Sequence, residues 1–399
     1  MRASRTIAGA GATFAALAVG LGLGVGTAAA DPSSPPPAPS IVAVGAVTQA
    51  GLFDQFSTDY NATSPSYPLY NWSSTGSATF EPKDNAACED YYRPVSSVDV
   101  DDENLPDTAG NSIFAVDTSA SFTSGGTTDK CMDLAPAAAP LSADDPTGMV
   151  QEVIAEDLLS YSYLPGGNIP ANLTPIDLEA IFACNASLIN PSYGANPVTE
   201  KEIGGTGDDE VMPVIPQWGT SETRETWMSD LGLSNTTIAS CVLNGSYTYD
   251  GTAYPVWQNE STNPVFNPSD NPDTADVIFP LSAGSYVCYH DTKACGTSNG
   301  PGDFVLGDVD GDAPLTGTAP HQTINAAGFY ENYDYGLYVD FVGTGAEPYI
   351  PSYLQPLLGV GTRGSGWICA SGGTGQADIA EYGFMSSKNC GTTSLTPTS

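Results

Sequence analysis

Three stretches of this sequence close an apolar run with small hydroxyl or carboxylate side chains: Val44-Gly45-Ala46-Val47-Thr48, Val116-Asp117-Thr118-Ser119 and Gly219-Thr220-Ser221-Glu222-Thr223-Arg224. Where a strand stops and a helix starts, backbone N–H groups point outward and the positive end of the helix dipole adds to them, which suits an anion. These three stretches are therefore candidate ligand-binding segments, with Arg224 as the charged anchor of the third. A guanidinium beside hydroxyls can hold an oxyanion through two parallel hydrogen bonds. Each stretch also has a plainer reading, in which the hydroxyls cap helices and Arg224 pairs with one of the many carboxylates.

No other group of residues assembles into a catalytic or metal centre. Gly296-Thr297-Ser298-Asn299-Gly300 has the spacing of a nucleophile elbow. That motif needs a strand before it and a helix after it, whereas Cys295 precedes and Pro301-Gly302-Asp303 follows. Asp308-Val309-Asp310-Gly311-Asp312 is rich in calcium-type ligands, but Ala313 stands where an EF-hand requires glycine, so only a looser calcium site stays open. His290 and His321 are the only histidines and no C-x2-C spacing occurs, which argues against zinc. No catalytic residue, metal or cofactor is expected, and the chain does not read as an enzyme.

The elements that would position these residues alternate between strand and helix. Ile41–Val44 reads as a buried strand, followed by a helix from Thr48 carrying Leu52, Phe53 and Phe56. Ile113–Val116 reads as a second strand ending at Asp117-Thr118-Ser119. Thr174, Pro175 and Asp177 are the capping residue, first-turn proline and first-turn acid of a helix through Phe182. A strand over 211–216 leads to a helix over 221–231, and further strands are predicted over 276–280, 304–306 and 335–342. Interleaved strands and helices predict an α/β fold, and no fixed-period repeat is present.

Composition narrows the function classes. The 399 residues carry 10 Lys+Arg against 46 Asp+Glu, a net charge of −36. So few cations exclude counterion-release binding to nucleic acid and disfavour anionic lipid. Arg2, Arg5, the apolar stretch to Val25 and Ala28-Ala29-Ala30 form a signal-peptide pattern, so a secreted, extracellular protein of the cell envelope is expected, with no cysteine at the cleavage point for a lipid anchor. Residues 31–40 read as a mobile Pro-rich linker. The 8 cysteines suit four disulfides in an oxidising compartment, and pairing of sequence neighbours predicts Cys88–Cys131, Cys184–Cys241, Cys288–Cys295 and Cys369–Cys390.

In sequence order these features resemble the phosphate-type substrate-binding proteins of ABC importers, in particular a secreted actinobacterial branch. The resemblance runs from Val44–Gln49 through Lys83–Pro94, Phe114–Ser119, Asn172–Phe182 and Pro216–Trp227 to Asn325 and Trp367-Ile368-Cys369. The resemblance marks Thr48, Asp117 and Ser119 from one lobe and Ser221, Thr223 and Arg224 from the other as the ligand-binding residues, with Thr220 and Glu222 standing where the family's Gly-Ser-Gly-Thr-Arg run has glycines. The resemblance implies a two-lobe, periplasmic-binding-protein-like (type II) fold with a ligand cleft. It places residues 41–152 and 278–399 in one lobe and 153–277 in the other, with chain crossings near Val153 and Val277. The implied function is capture of phosphate or a related oxyanion by closure, as a monomer, for an ABC permease. The alternative is an extracellular interaction protein that reuses the fold with another ligand or with none.

Overall fold

A computed structural model describes residues 31–45, 49–72, 79–93, 112–124, 126–141, 145–216, 222–256, 263–292, 294–295, 302–325, 328–329, 333–344 and 350–395. The first half of the chain gives β1 (Ile41–Val44), α1 (Ala50–Ala62), β2 (Leu69–Trp72), β3 (Thr79–Phe80), β4 (Tyr91–Tyr92), α2 (Ser112–Thr118), β5 (Ser121–Ser124), β6 (Thr127–Lys130), β7 (Ala135–Ala137) and β8 (Met149–Tyr163). Next come β9 (Asn172–Leu173), α3 (Pro175–Phe182), β10 (Met212–Ile215), α4 (Glu222–Asp230), β11 (Leu243–Asn244), β12 (Ser246–Tyr249), β13 (Thr252–Pro255) and β14 (Val277–Ser282). After α5 (Ala283–Tyr286) the chain adds β15 (Val305–Leu306), β16 (Asp308–Val309), β17 (Leu315–Thr316), β18 (Thr323–Ile324) and β19 (Asp334–Val342). It ends with α6 (Gln355–Leu358), α7 (Gly366–Cys369), α8 (Thr374–Glu381), β20 (Met385–Ser386) and β21 (Thr393–Leu395).

Each lobe starts from a parallel strand pair and a covering helix. β1 and β2 pair in parallel, Val44 opposite Trp72, and α1 packs Leu52, Phe53, Phe56 and Tyr60 beneath them. Their helical spacing puts all four on one face. In the other lobe β10 pairs in parallel with β11 and with β14. Here α3 begins with a capping box, the Asp177 N–H donating to Thr174 Oγ1 at 3.2 Å and the Thr174 N–H to Asp177 Oδ2 at 2.9 Å.

The long strand β8 joins the two lobes. Its first part pairs with β19, β20 and β21, through Leu158, and its last part with β14 and β15, from Leu159. The apolar packing changes at the same point: Val150, Ile154 and Ala155 belong to the core around α1 and α8, whereas Leu158, Leu159 and Tyr161 belong to the core around α3 and α4. β19 returns alongside, with Tyr333 in the second core, Tyr335 against both and Leu337 in the first. The fold is α/β in two lobes linked by these antiparallel strands.

Several expectations meet the structure differently. Residues 113–116 form helix α2, not a strand, with Ile113, Ala115 and Val116 packed against Val42, Val44 and Met132. Helical spacing explains this burial as well as a short strand would, and packing decides. The Pro-rich segment is not a free linker: Pro36 is buried, Pro37 bridges to Asp84, and the Asp84 N–H donates to the Pro36 carbonyl at 2.7 Å. Residues 278–333 contribute Ile278, Val309, Phe329 and Tyr333 to the second core, whereas the sequence reading returned the chain to the first lobe at Ile278. The helical turn after α5 leans back, placing Cys288 in the first core. The four disulfides join sequence neighbours as expected.

Candidate functional site

At the carboxyl edge of β1 and β2, the chain leaves Val44 towards Thr48, which lies outside the described residues together with Ala46 and Val47. Gln49, just beyond, is buried and donates from Nε2 to the Ala137 carbonyl at 2.7 Å, tying the start of α1 to β7. Asp117 and Ser119 sit at the carboxyl end of α2, where the helix dipole is negative and carbonyls rather than N–H groups are exposed. Lys130 answers that end: its Nζ donates to the Asp117 carbonyl at 2.7 Å. Burial lowers the Lys130 pKa, with the Asp117 and Asp133 charges opposing. The Ser119 hydroxyl faces the Val116 and Met132 carbonyls at 3.0 and 3.1 Å and accepts from the Met132 N–H at 3.3 Å, so it is engaged inside the lobe.

In the second lobe β10 points its carboxyl end at the segment 217–221, and α4 follows. Ser221 lies outside the described residues, as does the side chain of Glu222, whereas Thr223 and Arg224 are buried in the first turn of α4. The Arg224 guanidinium is bonded to the protein on several sides. Nε donates to Asn235 Oδ1 at 2.8 Å, one terminal nitrogen to Asn244 Oδ1 at 2.7 Å and the Pro216 carbonyl at 3.2 Å, and the other to the Asn235 carbonyl at 3.0 Å. It clamps the strand end before the loop to the helix after it. Burial lowers its pKa as well.

Between the lobes the buried carboxylate of Asp157 collects four donors. Oδ2 accepts from Tyr335 Oη at 2.8 Å and from Ser282 Oγ at 2.5 Å, while Oδ1 accepts from the Gly284 and Leu158 N–H groups at 2.9 and 2.8 Å. Ser282 also caps α5 by accepting from the Ser285 N–H at 2.9 Å. Burial raises the Asp157 pKa, and all four hydrogen bonds oppose the shift. The network joins β8, β14, α5 and β19 at one atom pair.

A second buried cluster braces the first lobe. Lys83 Nζ contacts Asp129 Oδ1 and Asp133 Oδ2, both at 2.8 Å, and the Ser40 carbonyl at 2.7 Å, with no side-chain exposure in the three residues of the ion pairs. Asp133 also accepts from the Val42 N–H and Tyr353 Oη, both at 2.8 Å. Burial, then the Asp133 charge, pushes Asp129 up to about 6 against the pull of Lys83. Scarcity was the available signal for Lys83 and Lys130: the chain has only 10 Lys+Arg, and each of these two stands beside an aspartate, Asp84 and Asp129.

The other motifs form no site among the described residues. Gly296–Gly300 lies outside them, and no group of three His, Cys, Asp or Glu side chains is placed to hold a metal. Asp310 and Gly311 form a turn with φ of 56° and 87°, closed by the Gly311 N–H donating to Asn172 Oδ1 at 2.6 Å. No helix among the described residues is long and apolar enough to cross a membrane.

No family model matches this chain, and no curated protein matches it. Solved structures similar to it include an ABC-type phosphate transport receptor from Vibrio cholerae, at 15% identity and a TM-score of 0.48, covering 87% of this chain and 100% of that one. A putative phosphate ABC transporter substrate-binding protein with bound phosphate from Clostridium perfringens is similar at 12% identity and a TM-score of 0.47, covering 88% and 100%. PstS from Borrelia burgdorferi follows at 13% identity and a TM-score of 0.39, covering 87% and 98%.

Proposed function

We propose that the protein is an exported, monomeric solute-binding protein that captures a small oxyanion, phosphate or a close relative, by closing two lobes, and presents it to an ABC permease. The observation that carries this reading is the pairing of the two crossings: β8 and β19 change cores side by side, at Asp157 and Tyr335. Two strands crossing together leave a narrow joint about which two packed bodies can rotate, and a ligand touching both bodies shifts the balance towards closure. The lobes are assigned as 41–156 with 336–395, and 158–333.

In this assignment the ligand is held by the loops that follow β1 and β10, with Thr48 from one lobe and Ser221 and Thr223 from the other. Arg224 holds the second loop in place through Asn235, Asn244 and Pro216. It acts as a positioning residue, which replaces direct ion pairing with the solute as its part in binding. Asp117 and Ser119 support the first lobe from α2 and are not ligand contacts in this assignment.

A thermal-shift and calorimetric screen with phosphate, sulfate, sugars and amino acids tests the reading. A ligand at 100 times its Kd stabilises the folded protein by ~2.7 kcal/mol, a readily measured shift. Phosphate or sulfate is expected to give that shift. A response to none of the solutes favours the interaction-protein alternative, and a response to sugars alone removes the oxyanion.

A further inference from the structure

Arg93 lies against Trp72, the last residue of β2, and its surroundings are those of a receptor. The guanidinium lies over the rings of Trp72 and Phe80, 5.7 and 5.1 Å from their centroids. Such contacts fix its plane and screen it from water. Its side chain is 3% exposed, and it meets the Asp31 carboxylate in a two-pronged pair, 3.0 Å to Oδ1 and 2.8 Å to Oδ2. Asp31 is 29% exposed, so the carboxylate is the partner on the solvent side.

The segment that brings Asp31 there runs backwards along the lobe. It is fastened at the amino end of β1, where the Ser40 carbonyl accepts from Lys83, and again at Pro37 and Asp84. Nine residues of extended Pro-rich chain reach roughly 28 Å, about twice the ~13 Å length of a four-residue strand. Asp31 can therefore arrive beside Trp72, the last residue of β2, while Ser40 stays just before Ile41, the first residue of β1. Two parallel bonds from one guanidinium to two oxygens is also the geometry with which arginine takes phosphate or a free carboxylate. The two N–H groups that give up the carboxylate keep their fork geometry, which an incoming oxyanion can take over.

We propose that the chain before Pro37 forms a built-in plug: Asp31 fills an oxyanion fork made by Arg93 over the Trp72–Phe80 ring pair, and a small oxyanion takes its place when residues 31–36 swing away. This site does not depend on lobe closure, and its ligand class is any compact oxyanion with two adjacent oxygens.

Calorimetric titration with inorganic phosphate and with acetate compares the unaltered protein, Asp31→Asn, and Asp31→Asn combined with Arg93→Gln. The single variant is expected to bind phosphate at least tenfold more tightly at one site per chain, and the double variant to lose that gain. A single variant that titrates like the unaltered protein, or a gain that survives in the double variant, overturns the proposal. If the double variant does not fold, hydrogen exchange of the unaltered protein decides: saturating phosphate should speed exchange at Ser33 and Ser34, and unchanged exchange overturns the plug. Failure of the cleft reading looks different, since the unaltered protein then shows only a weak phosphate site, which Asp31→Asn strengthens and the double variant lacks.

Discussion

Asp157 on β8 and Tyr335 on β19 are cross-strand partners, joined by a 2.8 Å hydrogen bond from the tyrosine hydroxyl to the buried carboxylate, at the register where both strands leave one core for the other. Opposite residues on one face of an antiparallel pair lie close enough for direct side-chain contact. Ser282 and the Gly284 N–H complete the shell from the second lobe's β14 and α5. In the proposed closure this joint is the axis about which the two bodies turn.

Tyr335→Phe removes one donor from this carboxylate and leaves the ring. A hydrogen bond to a charged group contributes ~2 kcal/mol. Denaturant unfolding should show a loss of that order, while Asp157→Ala, which strands several donors at once, should lose more. Equal losses in the two variants would mean that the carboxylate is not the centre of the network.

Glu152, also on β8, is buried with neither carboxyl oxygen hydrogen-bonded among the described residues, and burial pushes it up to about 9 from 4.5. A raised folded-state pKa means that the folded protein keeps a proton the unfolded chain releases. Its contribution to stability is complete below pH 4.5 and is lost as pH rises through about 9. Unfolding free energy should therefore fall by about 1.4 kcal/mol per pH unit from this group within that window. Glu152→Gln should flatten the profile by that slope. An unchanged profile would contradict the assignment.

Lys83→Met leaves Asp129 and Asp133 buried side by side without their cation. Breaking a buried pair from one side costs about 3–5 kcal/mol. The deficit should shrink from pH 7 towards pH 5, because Asp129, pushed up to about 6 even beside Lys83, takes up a proton more readily as pH falls once the cation is gone. Measuring the variant's unfolding at the two pH values checks the sign: a deficit that grows on acidification would be wrong for this cluster.

The disulfides differ in the loops that they close. Cys184–Cys241 spans 57 residues and Cys288–Cys295 spans 7. Loop-closure entropy gives about 4 kcal/mol for the first and about 2 for the second. Paired Cys→Ser replacements should follow that order in denaturant midpoint, and a reversed order would mean that native-state contacts dominate instead.

What could be read from the sequence was local. The capping box of α3, strands β1, β10, β14 and β19 and the neighbour-paired cysteines follow from period, turn chemistry and spacing. The α2 segment did not: Ile113–Val116 is four apolar residues, short enough to suit either period, and its packing under β1 decides. Arg224 was visible as a rare cation beside a helix start, but its partners Asn235 and Asn244 lie 11 and 20 residues away, beyond any local signal. The crossing at Asp157 left a trace in the acids that interrupt the apolar run of β8, yet nothing in that run distinguishes Asp157, with its four donors, from Glu152, with none among the described residues. The Pro-rich segment looked unpackable because prolines lack donors, and that same lack lets it lie against the lobe with few N–H groups to satisfy.

The most direct test of two lobes closing on an oxyanion is the distance between spin labels at Leu188 in the second lobe and Val360 in the first, 39% and 61% exposed and so open to labelling. Pulsed electron resonance with and without saturating phosphate should show the distribution shorten and narrow when phosphate is added. An identical distribution in both conditions, from a sample whose calorimetry shows phosphate bound, would contradict closure as the means of capture.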